Sequence, residues 1–472
     1  MIKTFNLGFK YRIYPTKKQM QLLNHHMFVY NQAYNICLNL WKREQENNKK
    51  LPKEQRVYRK ASSYDAVVKR VLKFRKIPFK TVITQQARIN FLKAINKAFS
   101  KDVVAQRLKA IDNAQTSKEK VKALSLGMPK FKSSKDIKQS FNWNNQGYAI
   151  IDTDNKRFKI LRIMKQNFKI RWHRDFPENA KIKSITFSKD AIGYYVSFNI
   201  EFKKEIDLEV SIGNLDISKS IGIDLNGYNI AVSQPIDNIF KNKHNNKIKI
   251  LNKHLIDNNA SNRKMIQNSR LIKILQRKQS RRVRKWLDSG KKGELAKNFK
   301  KTQKKLNKLY KKLVNQKSDL YHKISKTLTN EFELIAVEDL KVKNMSKSAK
   351  GNEINHGKNV KAKAGLNKTI SNASFYQFQS MLDYKSKLNG KLFVKVDPKY
   401  TSLECSVCGN RDKANRPRQD YFKCTKCGYE TNPDIQSSKT ILKRALESFG
   451  VGTTLVDFKH KAFRSETLVS VS

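Results

Sequence analysis

Cys405-Ser406-Val407-Cys408-Gly409 and Cys424-Thr425-Lys426-Cys427-Gly428, followed almost at once by Asn432-Pro433-Asp434-Ile435 and an apolar helix pattern, form the stretch from which the rest of the chain is interpreted. The pairs are separated by fifteen residues, Gly409 to Lys423, which is zinc-ribbon spacing, and a glycine directly after each pair permits a tight knuckle turn. Four thiolates favour tetrahedral zinc and leave no open position for a substrate, so Cys405, Cys408, Cys424 and Cys427 predict a structural metal site. Tyr421, Phe422 and Tyr429 have two roles open to them, padding the ribbon or stacking a base. The knuckle delivers Asp434 to a helix start. By itself that carboxylate needs no further role, because a helix dipole welcomes an acid in its first turn after an Asn432 cap and Pro433.

Two other carboxylates interrupt or end strand-like runs. In Ile221-Gly222-Ile223-Asp224-Leu225 the residues Ile221, Ile223 and Leu225 share one face, so Asp224 projects from the other. Capping of an Asn226-Gly227 turn and catalysis are both open to it. Glu338 ends Leu334-Ile335-Ala336-Val337, four apolar residues typical of a buried parallel strand, whose carboxyl end is where catalytic groups gather. Asp339 beside it points the opposite way. Taken together, three acids on separate elements suggest a magnesium site, because hard cations take oxygen ligands and phosphodiester cleavage uses two ions about 4 Å apart. The eight histidines are scattered, and none forms a His-Asn-His-like or His-Glu-x-x-His arrangement.

The charge balance identifies the partner class. Lys and Arg number 99 against 39 Asp and Glu, a formal charge of +60 over 472 residues, far beyond what solubility requires. A polyanion relieves such self-repulsion, and a duplex of about 20 base pairs presents about 40 phosphates. Residues 263–326 are the densest basic region. There Arg281, Arg282, Arg284, Lys285, Lys300, Lys301, Lys304 and Lys305 accompany a helical seam of Leu306, Leu309 and Leu313, a pattern that predicts a hairpin contacting phosphates. No window is uncharged enough for a membrane span and the N-terminus lacks an apolar signal core, so no membrane partner and a cytoplasmic location are expected. Cys37, alone in a helical stretch, is expected to pack as a small hydrophobe.

A chain of this length predicts several compact units. Alternating Phe5, Leu7, Phe9, Tyr11 and Ile13 read as a strand ended by Pro15, and Thr16 with Gln19 has capping-box spacing. Helical periodicity runs from 17 to about 125, and period-two segments such as Phe168-x-Ile170-x-Trp172 follow from Gly127 to about 203. A small barrel or sandwich with inserted helices is expected there. Beyond residue 212, strands around Asp224, ending at Glu338, and over Leu392–Val396, with a helix at 373–388, argue for an α/β sheet. Residues 343–368, rich in Lys, Asn, Ser and Gly, are expected to form a mobile loop that orders on nucleic acid.

The ordered set of motifs resembles the TnpB family, transposon-encoded RNA-guided nucleases related to compact type V CRISPR effectors. The resemblance rests on Lys10-Tyr11-Arg12-Ile13-Tyr14-Pro15-Thr16, Gly127-Met128-Pro129-Lys130-Phe131-Lys132, the strand region 182–198, Gly222-Ile223-Asp224-Leu225, Val337-Glu338-Asp339-Leu340, Val396-Asp397-Pro398-Lys399-Tyr400-Thr401-Ser402 and the cysteine pairs. It implies a multidomain α/β protein. A β-barrel-like wedge domain (1–15 and 127–211) would carry an inserted helical recognition domain (16–126). An RNase H-like RuvC nuclease domain (212–404 and 434–449) would carry an inserted zinc ribbon (405–433), with a disordered tail at 450–472. It implies Asp224, Glu338 and Asp434 as the three nuclease acids holding catalytic Mg2+, and the four cysteines as ligands of structural Zn2+.

The activity so implied is RNA-guided, magnesium-dependent cleavage of double-stranded DNA, directed by a guide noncoding RNA to a site beside a short motif. A monomer is expected, in a bacterial cytoplasm and on the nucleoid when bound to DNA. Two alternatives are a guide-RNA-dependent DNA-binding repressor or transposition accessory protein that does not cut, and a strand-transferring transposase. One departure stands out: the family's Asp-Arg-Asp-x-Asn-Ala-Ala reads Asn432-Pro433-Asp434-Ile435-Gln436-Ser437-Ser438 here, so the acid is retained among changed neighbours.

Overall fold

The computed structural model describes residues 2–144, 146–206, 216–236, 238–240, 248–258, 263–290, 297–351 and 355–449. The tail at 450–472 and the stretch where the expected wedge and nuclease domains meet, 207–215, lie outside the described residues. The chain divides into two compact units, Ile2–Lys204 and the part from Glu205 onward.

In the first unit, strand β1 (Ile2–Ile13) is followed by five helices: α1 (Lys17–Asn48), α2 (Ala61–Phe74), α3 (Thr81–Ala98), α4 (Lys101–Asp112) and α5 (Ser117–Leu124). Strands β2 (Gln139–Trp143), β3 (Tyr148–Asp152), β4 (Phe158–Ile163), β5 (Gln166–Arg171), β6 (Lys181–Lys189) and β7 (Tyr194–Glu205) come next. Thr16 caps α1 in a full capping box with Gln19, as the spacing predicts. The strands form one seven-stranded sheet in the order β2-β6-β7-β1-β5-β4-β3, rather than the two packed sheets of a sandwich. Strand β1 thus sits in the middle of a sheet whose other strands follow the helices in sequence. Alternation along β1 buries Phe9, Tyr11 and Ile13 while their neighbours stay exposed. Tyr11 stacks on Trp172 at 4.4 Å between ring centroids, and Phe176 meets Phe9, Tyr11, Trp172 and Phe198 within 6.0 Å, making an aromatic core. Cys37 is fully buried on α1, in keeping with its expected role as a small hydrophobe.

The second unit is built on strands β8 (Ser220–Leu225), β9 (Asn229–Val232), β10 (Ile250–Asn252) and β11 (Leu255–Asp257), then helices α6 (Arg263–Asp288) and α7 (Lys297–Glu331). After them come β12 (Leu334–Glu338), α8 (Val342–Met345), α9 (Val360–Ala373), α10 (Phe375–Leu388), β13 (Leu392–Val396), the short strands β14 (Phe422–Lys423) and β15 (Glu430–Thr431), and α11 (Pro433–Glu447). The six-stranded sheet runs β10-β11-β9-β8-β12-β13, antiparallel from β10 to β8 and parallel across β8, β12 and β13. Both faces are covered, which explains why β8 and β12 are apolar runs. Ile221, Ile223, Ile335 and Val337 pack with Leu320, Ile324, Leu328, Phe378 and Leu382 on one side. Leu334, Ala336 and Val396 pack with Ile441, Leu442, Ala445 and Leu446 of α11 on the other. Each buried Val, Leu, Ile or Phe side chain among these contributes about 1.5–3 kcal/mol of transfer free energy.

Within the loop expected at 343–368, residues 343–345 and 360–368 are helical, in α8 and α9, and the described residues between them are not. Val360-Lys-Ala-Lys-Ala supplies good helix formers, and Ile370 and Ala373 bury against the core, so tertiary contact overrides a polar composition. The helix expected over 373–388 starts at Phe375, because Ser374 takes a left-handed conformation (φ 51°) between α9 and α10.

Candidate active site and metal knuckle

The four cysteine sulfurs lie within 4.8 Å of one another, and among the described residues they are the group of three or more His, Cys, Asp or Glu ligands that meets this spacing. Sγ of Cys405 stands 3.7 Å from that of Cys427, and Sγ of Cys408 3.4 Å from that of Cys424. Zinc–thiolate bonds of about 2.3 Å at tetrahedral angles separate sulfurs by about 3.8 Å, so the cluster fits that ion. Gly409 (φ 75°) and Gly428 (φ 71°) make the two knuckle turns, each donating its N–H to the first cysteine of its pair, at 2.9 and 3.0 Å. Phe422 is buried against Cys405 and Cys424, so of the two roles open to it padding is the one it fills. Asn415 is fully buried. Its amide donates to Leu403 O and Asn410 O, and its carbonyl accepts from Thr425 N, tying one knuckle to the other.

The acids converge at the carboxyl ends of the parallel strands. Leu334 pairs with Ser220 and Val337 with Ile223, and carrying that register one residue further sets Glu338 beside Asp224. Both side chains point to the α11 face. The approach of α11 depends on Gly222, where a Cβ would lie 2.1 Å from Ser438 O and 2.7 Å from Leu442 N. That contact brings Asp434, in the first turn of α11, to the same place; Asn432 Oδ1 accepts its backbone N–H at 2.9 Å. The three carboxylates do not meet the 4.8 Å spacing of the cysteines.

Their electrostatics are those of crowded acids. Asp224 is 8% exposed, and its pKa is raised well above the ordinary carboxylate value, first by burial, then by the charges of Glu338 and Asp434; Asn226 and Arg416 oppose the shift. Burial also pushes Glu338 up, against a 2.6 Å hydrogen bond from Thr401 Oγ1 and the charge of Arg444. Asn226 Nδ2 donates to Asp224 at 3.1 Å, and Asn229 Nδ2 donates to Asp434 at 3.0 Å, so one hairpin turn supplies an amide to each of two acids. Asp339 is ion-paired with Lys341 instead. The roles of Thr401 and Asn229 escape sequence reasoning, because each acts across tens to hundreds of residues of chain, 63 and 205 respectively. The changed neighbours of Asp434 are accommodated locally. Ser437 and Ser438 bond back to Pro433 O and Ile435 O, and Gln436 bonds Ser406 and Glu404 O at the base of the knuckle.

The basic candidates divide. Arg281, Arg284, Lys285, Lys300, Lys301, Lys304 and Lys305 are exposed on α6 and α7, whereas the Arg282 guanidinium turns to Asn298 O and Thr302 Oγ1 and links the hairpin. No described helix is long and apolar enough to cross a membrane.

Family comparisons match three segments. Residues 1–50 match a family described as “Helix-turn-helix domain”, which here fold as β1 and the single helix α1; residues 207–349 match “Probable transposase”; residues 375–441 match “Cas12f1-like, TNB domain”. The chain is 35% identical to “Putative RNA-guided DNA endonuclease InsQ” of Escherichia coli over 37% of its length, and 28% identical to “TnpB-like protein L79” of Acanthamoeba polyphaga mimivirus over 32%. These matches span 41% and 27% of the two relatives' own lengths. A “Putative RNA-guided DNA endonuclease” of Streptomyces pristinaespiralis is 23% identical across 96% of this chain and 92% of that one. In these segments the chain is similar to IS605-type transposases, TnpB-like proteins and compact type V effectors.

Proposed function

We propose that the protein is an RNA-guided, magnesium-dependent DNA endonuclease in which Asp224, Glu338 and Asp434 are the catalytic acids and Cys405, Cys408, Cys424 and Cys427 hold structural zinc. The observation that carries this reading is the buried Asp224 carboxylate, crowded by two further acids at the carboxyl ends of parallel strands. An all-oxygen donor set of concentrated negative charge fits magnesium rather than a softer ion. When bound, magnesium supplies the positive charge that activates water and supports the departing oxygen of a phosphodiester. Thr401 and Asn226 hold the Glu338 and Asp224 side chains in place for that role. Names given to relatives, two of which describe RNA-guided DNA endonucleases, support the same activity.

In this reading the six-stranded sheet with α11 is the RuvC-like nuclease domain over 212–404 and 434–449, and 405–433 is its zinc ribbon. Residues 1–15 with 127–211 form the wedge domain, and 16–126 the recognition domain. The +60 charge accommodates a guide RNA and target DNA whose pairing supplies sequence specificity, next to a short motif read by the protein. The purified protein is expected to carry one discrete RNA, and that complex is expected to cut a plasmid bearing the matching sequence within a library of randomised flanks. Absence of a discrete RNA, or an intact matched plasmid in magnesium, would sink the proposal.

The two classes of basic residue are expected to separate by assay. Replacing Lys301, Lys304 and Lys305 with alanine is expected to weaken nucleic-acid binding alike for all sequences, and to reduce the salt slope by up to about 0.9 for each phosphate that a lysine no longer neutralises. Arg282→Ala is expected instead to destabilise the hairpin by roughly 1–3 kcal/mol in thermal melts without nucleic acid. An unchanged melt for Arg282→Ala, or an unchanged salt slope for the lysine variant, would contradict the division.

A further inference from the structure

Tyr400 holds a backbone conformation that a bulky side chain rarely adopts, φ 61°, and it is the aromatic residue among the seven described non-glycine residues at positive φ. The turn that imposes this conformation is well bonded: Tyr400 O accepts from the N–H groups of Leu403 and Glu404, both at 3.0 Å. Glycine or asparagine would make the same turn with less strain. Strain of this kind persists where the surroundings over-determine it, and it concentrates at functional sites. What tyrosine adds is its ring, on a residue that is 53% exposed.

The ring is also built into a support. The Arg411 guanidinium lies 5.0 Å from its centroid, and Arg411 is itself held by Glu404 at 2.7 Å. Glu404, 8% exposed, receives a second 2.7 Å bond from Arg444, whose other nitrogen donates to Asp397 O and Lys399 O, carbonyls of the segment that carries Tyr400. The next residue, Thr401, is the donor to Glu338, which places the platform one residue from the acid cluster. Lys399, next to Tyr400 in the chain, and Lys413, two residues after Arg411, are exposed.

We propose that Tyr400 and Arg411 form a stacking subsite for one unpaired nucleobase of the DNA strand presented to Asp224, Glu338 and Asp434. The proposal rests on the nuclease reading. A π-face with a guanidinium beside it recognises a base without regard to sequence, and it requires a single strand, because neighbouring stacked pairs cover the faces of a base within a duplex. Such a contact fixes the strand close to the acids, so that cleavage positions follow from where the base is seated.

The test uses the full-length protein with its RNA, carrying Asp224→Asn so that the strand survives, and an unpaired oligodeoxynucleotide with 2-aminopurine moved through successive positions. Quenching is expected at one position. Tyr400→Phe is expected to retain it, whereas Tyr400→Ala loses it and binds about five- to a hundredfold more weakly. Tyr400→Gly is expected to lose quenching with a thermal midpoint at or above that of its parent, since glycine accepts this φ without strain, which separates stacking from folding. Equal quenching and affinity in Tyr400→Ala would overturn the proposal, as would quenching only when the probe base is in the guide RNA. Binding is scored without cutting, so quenching by a protein with wild-type Asp224 that never cuts would sink the nuclease reading and leave the subsite standing.

Discussion

Asp224→Asn is expected to cut guided cleavage by at least about a hundred- to a thousandfold, while raising the thermal midpoint of the metal-free protein at neutral pH. The two halves have one cause. Removing a group that stabilises developing charge in a dry site costs about 10²–10³ in rate, and an acid that helps hold the metal costs at least as much. In the fold, burial and then the neighbouring Glu338 and Asp434 charges raise the Asp224 pKa, so the folded state favours its neutral form. The group therefore contributes stability below the ordinary aspartate pKa of about 3.9, and that contribution is lost as pH rises through the raised folded value. An amide of the same shape keeps the neutral form at every pH and can still accept from Asn226. Melting wild type and variant without magnesium from pH 4 to 8 should show a gap that opens with pH in favour of the variant. Retained cleavage would remove Asp224 from the reaction. A variant less stable than wild type at pH 8 would refute the crowding of charge.

The largest expected loss of stability comes from Gly222→Val. Its Cβ alone would stand 2.1 Å from Ser438 O and 2.7 Å from Leu442 N, and both are backbone atoms of α11 that no rotamer change can move. Strand β8 and helix α11 must separate, which opens the cluster of Leu334, Ala336, Ile441, Leu442 and Leu446. A cost of about 3 kcal/mol or more is expected, at the upper end for overpacking. Cleavage is expected to fall as well, because Asp434 rides on the displaced helix. Gly365→Ala is the control: nothing lies within 4 Å of its Cβ in the exposed middle of α9, so about 0.5–1 kcal/mol of stabilisation is expected. Urea unfolding measures both. Comparable stability of Gly222→Val and wild type would mean that the β8–α11 approach is not rigid.

Some of this architecture is legible in local patterns, since a capping box, a period-two strand and a Cys-x-x-Cys pair are chemistry over a few residues. Thr16 with Gln19, alternation along β1 and the two knuckles are of this kind. The helical part of 343–368 was not legible. Its polar composition suits a mobile loop, and it is the burial of Ile370 and Ala373 against distant residues that makes α9 a helix. Arg282 likewise belongs by sequence to a dense basic run, yet its partners on α7 give it a structural role.

By itself the sequence singled out the candidate residues: four cysteines at ribbon spacing, two acids that interrupt or end apolar runs and a third at a helix start, and a charge of +60 that calls for a polyanion. Only the tertiary structure decided that Glu338 stands level with Asp224, that the bare backbone at Gly222 admits the helix bearing Asp434, and that Thr401, Asn226 and Asn229 hold the acids. The reason is physical. Residue type and short spacing encode local geometry, whereas strand register and close packing between residues more than a hundred positions apart depend on the whole core that joins them.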